Sequence, residues 1–196
     1  GHKITRQIFA RWMRILERTP GSVLWLAASG RLRETLCNAA RRHGIDPETR
    51  LVFARRLPDK ADHMARLALA DLFLDTPIYG AHSSAVDSLW AGTPVLTCPG
   101  DVFSSRGAAT LLRVMGIEEL IAPDYDAYER IAVELAFDPA ARQALRARVA
   151  ARRAESPLFD TAGWVSDVER AYREMWEIYL RGEPARDIIL KGSKPA

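Results

Sequence analysis

Only two cysteines, Cys37 and Cys98, occur in 196 residues. That is too few for a disulfide framework, and their spacing fits no zinc site, so both read as packing residues in a reduced compartment. No apolar run approaches the roughly 20 residues that cross a bilayer, and the first residues do not form a signal peptide. A soluble, cytoplasmic protein with no membrane partner is therefore expected. No internal repeat is visible. The densest arginine run, from Arg142 to Arg153, lacks aromatic residues and intersperses Arg with Ala at helical spacing. It reads as a solvated helix face, and the formal net charge of +3 gives no cause to expect a nucleic-acid partner.

What is present is a long alternation of apolar patterns. A chain of this length can bury a sizeable core in one α/β domain without disulfides or metal. Helical spacing from Ile4 to Arg18 ends at Thr19-Pro20-Gly21, and Ser22 to Ala28 follows as a strand. A helix from Leu32 to His43 closes on Gly44, and Arg50 to Arg55 forms a second strand. Pro58 opens a short helix through Leu67. Leu69 to Asp75 is the third strand, Ser84 to Ala91 a helix closed by Gly92, and Val95 to Thr97 the fourth strand. A helix from Ser104 to Met115 precedes a fifth strand at Glu119 to Ala122. Such alternation specifies a parallel, doubly wound α/β sheet, because right-handed crossovers place a helix between parallel neighbours.

After Pro123 the chain turns helical, over Tyr125 to Phe137, Pro139 to Arg153 and Thr161 to Arg181. The last helix is amphipathic and rich in aromatics, with Trp164, Tyr172, Trp176 and Tyr179. It can pack on its own sheet or cross to a second domain, and the second reading is preferred. The expected organisation is one domain over residues 1–181, including this helix, and a polar tail over 182–196.

The densest grouping of His, Ser and Asp lies between the third and fourth strands. An apolar run ending in Asp75-Thr76-Pro77 leads through a polar loop to a helix whose free N–H groups and positive dipole end attract phosphate. Ser83 and Ser84 can cap that helix or bind a phosphate oxygen, and Asp87 follows at helical spacing on the same face. A phosphate site beside a carboxylate for a ribose hydroxyl is a nucleotide-binding arrangement of open α/β sheets. Lys60, His63 and Arg66 share one face of the preceding helix, which by itself also suits a plain surface helix.

Three motifs stand out: Leu74-Asp75-Thr76-Pro77, the run from Gly80 to Val95 (GAHSSAVDSLWAGTPV), and Ser105-Arg106. Together they resemble the C-terminal half of the catalytic region of protein O-GlcNAc transferases and their bacterial and plant relatives. Agreement extends to Pro20–Leu26, Glu119-Leu120-Ile121, Ser156–Phe159 and Met175-Trp176-Glu177, nearly the whole chain. The resemblance implies a GT-B glycosyltransferase, in which two Rossmann-like domains face one another and the C-terminal one, this chain, holds the sugar nucleotide. It further implies that Lys3 lies near the diphosphate, where an ammonium offsets leaving-group charge without a metal. By position alone Lys3 would be a solvated terminal lysine.

The resemblance puts His63 beside the nucleoside, Lys60 and Arg66 on the base side, Ser83 and Ser84 in place of two threonines on the phosphates, and Asp87 on the ribose. His82 would contribute backbone at the turn. Gly80-Ala81-His82 stands where the family usually has Asn-Gly-His. The implied partners are a UDP-sugar donor, a protein acceptor and an N-terminal catalytic half, without which this chain would be inactive; helical repeats precede that half in relatives. A non-catalytic nucleotide-binding module, and a relative that uses UDP-glucose or GDP-fucose, remain open alternatives.

Overall fold

A computed structural model describes residues 3–190; His2 and residues 191–196 of the expected tail lie outside them. The first helix, α1 (Arg6–Arg18), starts where the Thr5 hydroxyl accepts the Ile8 N–H at 3.2 Å. It buries Ile8, Phe9, Trp12, Met13, Ile15 and Leu16, the apolar stripe that its spacing predicts. Its last carbonyls are collected by Arg50, which donates to Leu16 O at 2.7 Å and Thr19 O at 3.0 Å. α1 then lies against a later helix, α7 (Tyr125–Phe137). Glu129 of α7 accepts hydrogen bonds from Arg11 and Arg14 across that contact. Burial pushes the Glu129 carboxyl up, but the two guanidinium groups outweigh it and hold the acid below its ordinary range.

Between those helices runs the crossover region: β1 (Leu24–Leu26), α2 (Gly30–Arg42), α3 (Pro47–Arg50), β2 (Leu51–Phe53), α4 (Lys60–Leu67), β3 (Phe73–Leu74), α5 (Ser83–Trp90), β4 (Val95–Leu96) and α6 (Phe103–Val114). β1 pairs with β2 and β3 with β4, both parallel, with Leu24 opposite Leu51 and Phe73 opposite Val95. These are two separate ladders among the described residues. Leu89, Val95, Leu96, Leu112 and Ile117 lie fully buried in the core. After α7 come α8 (Pro139–Glu155) and α9 (Thr161–Leu180). No helix among the described residues is long and apolar enough to cross a membrane.

The strands are shorter than their apolar runs. Leu69 and Ala70 do not enter β3, because their N–H groups bond back to Arg66 O and Leu67 O and extend the end of α4 as turns. The expected fifth strand at Glu119 to Ala122 is a 3₁₀ turn over Glu118–Leu120 followed by a single parallel bridge between Thr97 and Ile121. The Ile121 N–H is spent on Glu118 O within that turn, at 2.9 Å. α3 was not expected, although Asp46 caps it by accepting the Glu48 N–H and Pro47 opens it.

The arginines of α8 correct a second expectation. Arg142, Arg146 and Arg153 recur on one face of the helix, and that face is not left to solvent. Arg142 donates to Leu135 O at 2.6 Å and to Ala136 O at 2.7 Å at the end of α7, and Arg146 donates to Ala68 O and Ala70 O after α4, both at 2.6 Å. Arg153 reaches Trp90 O at the end of α5, at 2.6 Å, with its guanidinium over the Trp90 ring. Helix C-termini leave carbonyls unpaired and carry partial negative charge, so one arginine face ties three of them to α8. Arg146→Ala should cost about 2 kcal/mol, the usual value of hydrogen bonds from a charged donor, read as a lowered urea midpoint at unchanged slope. An unchanged midpoint would show that water replaces the guanidinium at no cost.

α9 buries only Ile178 among its residues, and Trp164, Tyr172, Trp176 and Tyr179 are exposed. Cys37 is half-buried and Cys98 buried, both as free thiols.

Candidate functional site

Asp75 closes β3 and organises everything after it. The residue is 3% exposed. Its Oδ1 accepts the Thr76 N–H at 2.7 Å and the Ala81 N–H at 2.6 Å, and its Oδ2 accepts the Thr97 hydroxyl at 2.7 Å. Beneath it a buried relay joins three elements: Trp12 Nε1 donates to the Tyr128 hydroxyl at 3.2 Å, which donates to Asp75 O at 3.0 Å. Burial pushes the Asp75 carboxyl above its ordinary value, opposed by its three donors and by the charge of Lys3. The loop from Thr76 to His82 is thereby folded back over a buried carboxylate. Gly80 fits closely there: a Cβ would stand 3.1 Å from Asp75 Oδ2 and 3.4 Å from Ser104 O, so a side chain would press on the buried carboxylate. Its N–H donates to Ser104 O at 2.8 Å, and Thr76 Oγ1 donates to Tyr79 O at 2.9 Å.

The loop delivers the chain to the start of α5. His82 is the cap residue: its carbonyl accepts the Ala85 and Val86 N–H groups, and its side chain does not cap. The ring stacks on Tyr79 at 5.7 Å between centroids, meets the edge of Phe103 at 5.8 Å, and brings Nε2 to 3.2 Å from Ser104 O. It presses on Gly107 so closely that a Cβ there would lie 2.5 Å from His82 Cδ2. Ser83 and Ser84 are exposed, and neither hydroxyl serves as a cap. α5 thus begins with free N–H groups, two open hydroxyls and its positive dipole end together.

One turn on, the Asp87 carboxylate takes the Lys60 ammonium at 2.5 Å, an ion pair that ties α4 to α5. α4 is itself capped by Asp59, which accepts the Ala61 and Asp62 N–H groups. His63 lies one turn beyond Lys60, with Nδ1 at 2.9 Å from the Arg66 guanidinium, and Arg66 also donates to Arg55 O beyond β2. Lys3 reaches the loop from the other side of the sequence. Its ammonium donates to Gly80 O at 3.2 Å and sits 4.4 Å from the centre of the Tyr79 ring.

The structure therefore links the candidate residues in two groups, Lys60, Asp87, His63 and Arg66 on α4 and α5, and Lys3 and His82 around Tyr79-Gly80. A cavity of about 520 Å³ opens between α5 and α6 beside His82 and Ser83, with Phe103, Arg106 and Thr110 on its far wall. Lys3, His63 and Asp87 are not part of its lining. Asp75, Tyr79 and Arg106 were not singled out as site residues by sequence. For Asp75 the signal existed, an acid closing an apolar run directly before Thr-Pro.

Parallel strands joined by crossover helices, with a helix start beyond the C-terminal end of β3, define a Rossmann-like lobe. The profile of Glycosyl transferase family 41 matches residues 2–168. The chain is 36% identical over 186 residues to the probable UDP-N-acetylglucosamine–peptide N-acetylglucosaminyltransferase SEC of Arabidopsis thaliana, covering 93% of this chain and 19% of the relative. It is also 36% identical over 195 residues to the UDP-N-acetylglucosamine–peptide N-acetylglucosaminyltransferase of Caenorhabditis elegans, covering 99% and 17%. Among solved structures, a lysine-to-methionine mutant of the Thermobaculum terrenum O-GlcNAc transferase superposes with a TM-score of 0.79 at 26% identity, over 89% of this chain and 34% of that one. The chain belongs to glycosyl transferase family 41, and its fold is the C-terminal Rossmann-like lobe of a GT-B transferase. It spans under a fifth of the length of these two curated relatives.

Proposed function

We propose that this chain is the nucleotide-sugar half of a cytoplasmic protein O-glycosyltransferase that moves GlcNAc from UDP-GlcNAc to protein hydroxyls, with an N-terminal half completing the active site. The observation that carries the reading is the uncapped start of α5, with two exposed serine hydroxyls one turn ahead of Asp87. The diphosphate binds that start through Ser83, Ser84 and backbone N–H groups. Asp87 takes a ribose hydroxyl; its carboxylate has about four acceptor positions, so the Lys60 bond leaves room for another. Lys60, His63 and Arg66 face the base. Lys3 spends one of its three donors on Gly80 O, leaving two for a diphosphate oxygen. As the glycosidic bond breaks, the ammonium meets charge that develops on the departing nucleotide, and the reading calls for no metal. The exposed aromatic face of α9 suits contact with the absent half.

Calorimetric titration of UDP, UDP-GlcNAc, UDP-glucose and GDP-fucose into the full-length protein tests the donor. UDP-GlcNAc is expected to bind best. Asp87→Ala should weaken UDP binding by about 1–3 kcal/mol, the cost of a lost hydrogen bond to a charged group, while the fold survives because Asp87 is not core. Unchanged UDP affinity would remove the ribose role.

A further inference from the structure

Lys3 lies in the lead into α1, outside any helix or strand. A lysine on a flexible four-carbon stem gains no fixed direction from such a segment. Yet its ammonium has a defined seat, made by Gly80 O at 3.2 Å and the Tyr79 ring at 4.4 Å. An ammonium against an aromatic ring is held by the negative charge of the ring face. The carbonyl half of the seat is fixed by the Gly80 N–H on Ser104 O. The ring half is fixed by the Thr76 hydroxyl on Tyr79 O and by stacking on His82, with an interplanar angle of 16°. His82 is in turn pinned by Phe103, Ser104 O and the bare Cα of Gly107. A continuous row from α6 through His82 and Tyr79 thus ends on the Lys3 ammonium.

We propose that Tyr79 is a positioning residue: its ring sets the place of the Lys3 ammonium relative to the start of α5, and so the fraction of bound donor that meets a correctly placed charge. The proposal rests on the role given to Lys3 above. The ring acts through its face, so the hydroxyl is dispensable. It acts through Lys3, so its effect disappears when Lys3 is gone. It acts on developing charge, so it is read in kcat and not in donor affinity.

The test is a double-mutant cycle in the full-length protein, with steady-state transfer kinetics. Tyr79→Leu should lower kcat about tenfold, the loss expected from one cation–π contact of middling strength, with donor KM unchanged within about twofold. Tyr79→Phe should keep kcat near wild type. In a Lys3→Met background, Tyr79→Leu should bring no further loss. A wild-type kcat for Tyr79→Leu, equal losses in both backgrounds, or a Tyr79→Phe as impaired as the leucine variant would overturn the proposal while leaving Lys3 in its role. A Lys3→Met enzyme with normal kcat would overturn both. Tyr79 is 45% exposed, so the leucine variant should fold; if its melting temperature falls, Tyr79→Met serves as the ring-free variant.

Discussion

Lys3→Met in the full-length protein is expected to lower kcat about a hundredfold to a thousandfold, the typical loss on removing one preorganised electrostatic contact, with little change in donor KM. In the proposed site the donor diphosphate would already meet the N–H groups and hydroxyls at the α5 start, so ground-state binding would have other contributors. The additional charge appears on the leaving nucleotide only as the glycosidic bond breaks, and an interaction made mainly there acts on kcat. Lys3→Arg should rescue poorly. The seat between Gly80 O and the Tyr79 ring holds a compact ammonium, whereas a planar guanidinium directs its donors along a rigid fork. A raised donor KM at normal kcat would make Lys3 a binding residue, and full activity in both variants would make it a solvated lysine.

The second large effect falls on stability. Asp75→Ala should cost about 3–5 kcal/mol, since it leaves the Thr76 and Ala81 N–H groups and the Thr97 hydroxyl without their acceptor in a buried place. Asp75→Asn keeps an oxygen for the two N–H groups and turns an amide toward Thr97, whose hydroxyl can accept, so it should cost about 1 kcal/mol. The pH dependence separates the two effects of the carboxylate. Its folded-state pKa is raised above the ordinary 3.8 by burial, so the folded state binds the proton more readily than the unfolded chain does. The contribution of the group to stability is then least favourable above the raised value and improves as the pH falls through it. Urea midpoints measured from neutral pH downward should move in favour of wild type relative to Asp75→Asn. A difference that stays flat, or an alanine variant as stable as wild type, would contradict this account of Asp75.

Helices were the legible part of the fold, because an apolar stripe and a cap are both local. α1 and α7 begin at Thr5 and Asp124, whose side chains accept the N–H groups of Ile8 and Ala127, and their boundaries follow from those residues. Strands were less legible: Leu69 and Ala70 turn back on α4 through N–H bonds to Arg66 O and Leu67 O, and the carbonyls of Ala68 and Ala70 are held to α8 by Arg146, more than seventy positions away. The same distance hides the purpose of the arginine run, which by composition alone suits a solvated face. At the candidate site, Lys60 and Asp87 could be named from sequence, but their ion pair could not. Tyr79, an exposed tyrosine in a polar loop, carries no local signal; its meaning comes from Lys3, far upstream, and from the stack on His82.

The central claim is that the α5 start receives the donor diphosphate. A crystal structure of the full-length protein with UDP tests it most directly. The account predicts phosphate oxygens within hydrogen-bond distance of the Ser83 and Ser84 hydroxyls and of the Lys3 ammonium, with a ribose hydroxyl on Asp87. A nucleotide bound elsewhere, or one whose phosphates leave Ser83 and Ser84 untouched, would contradict it.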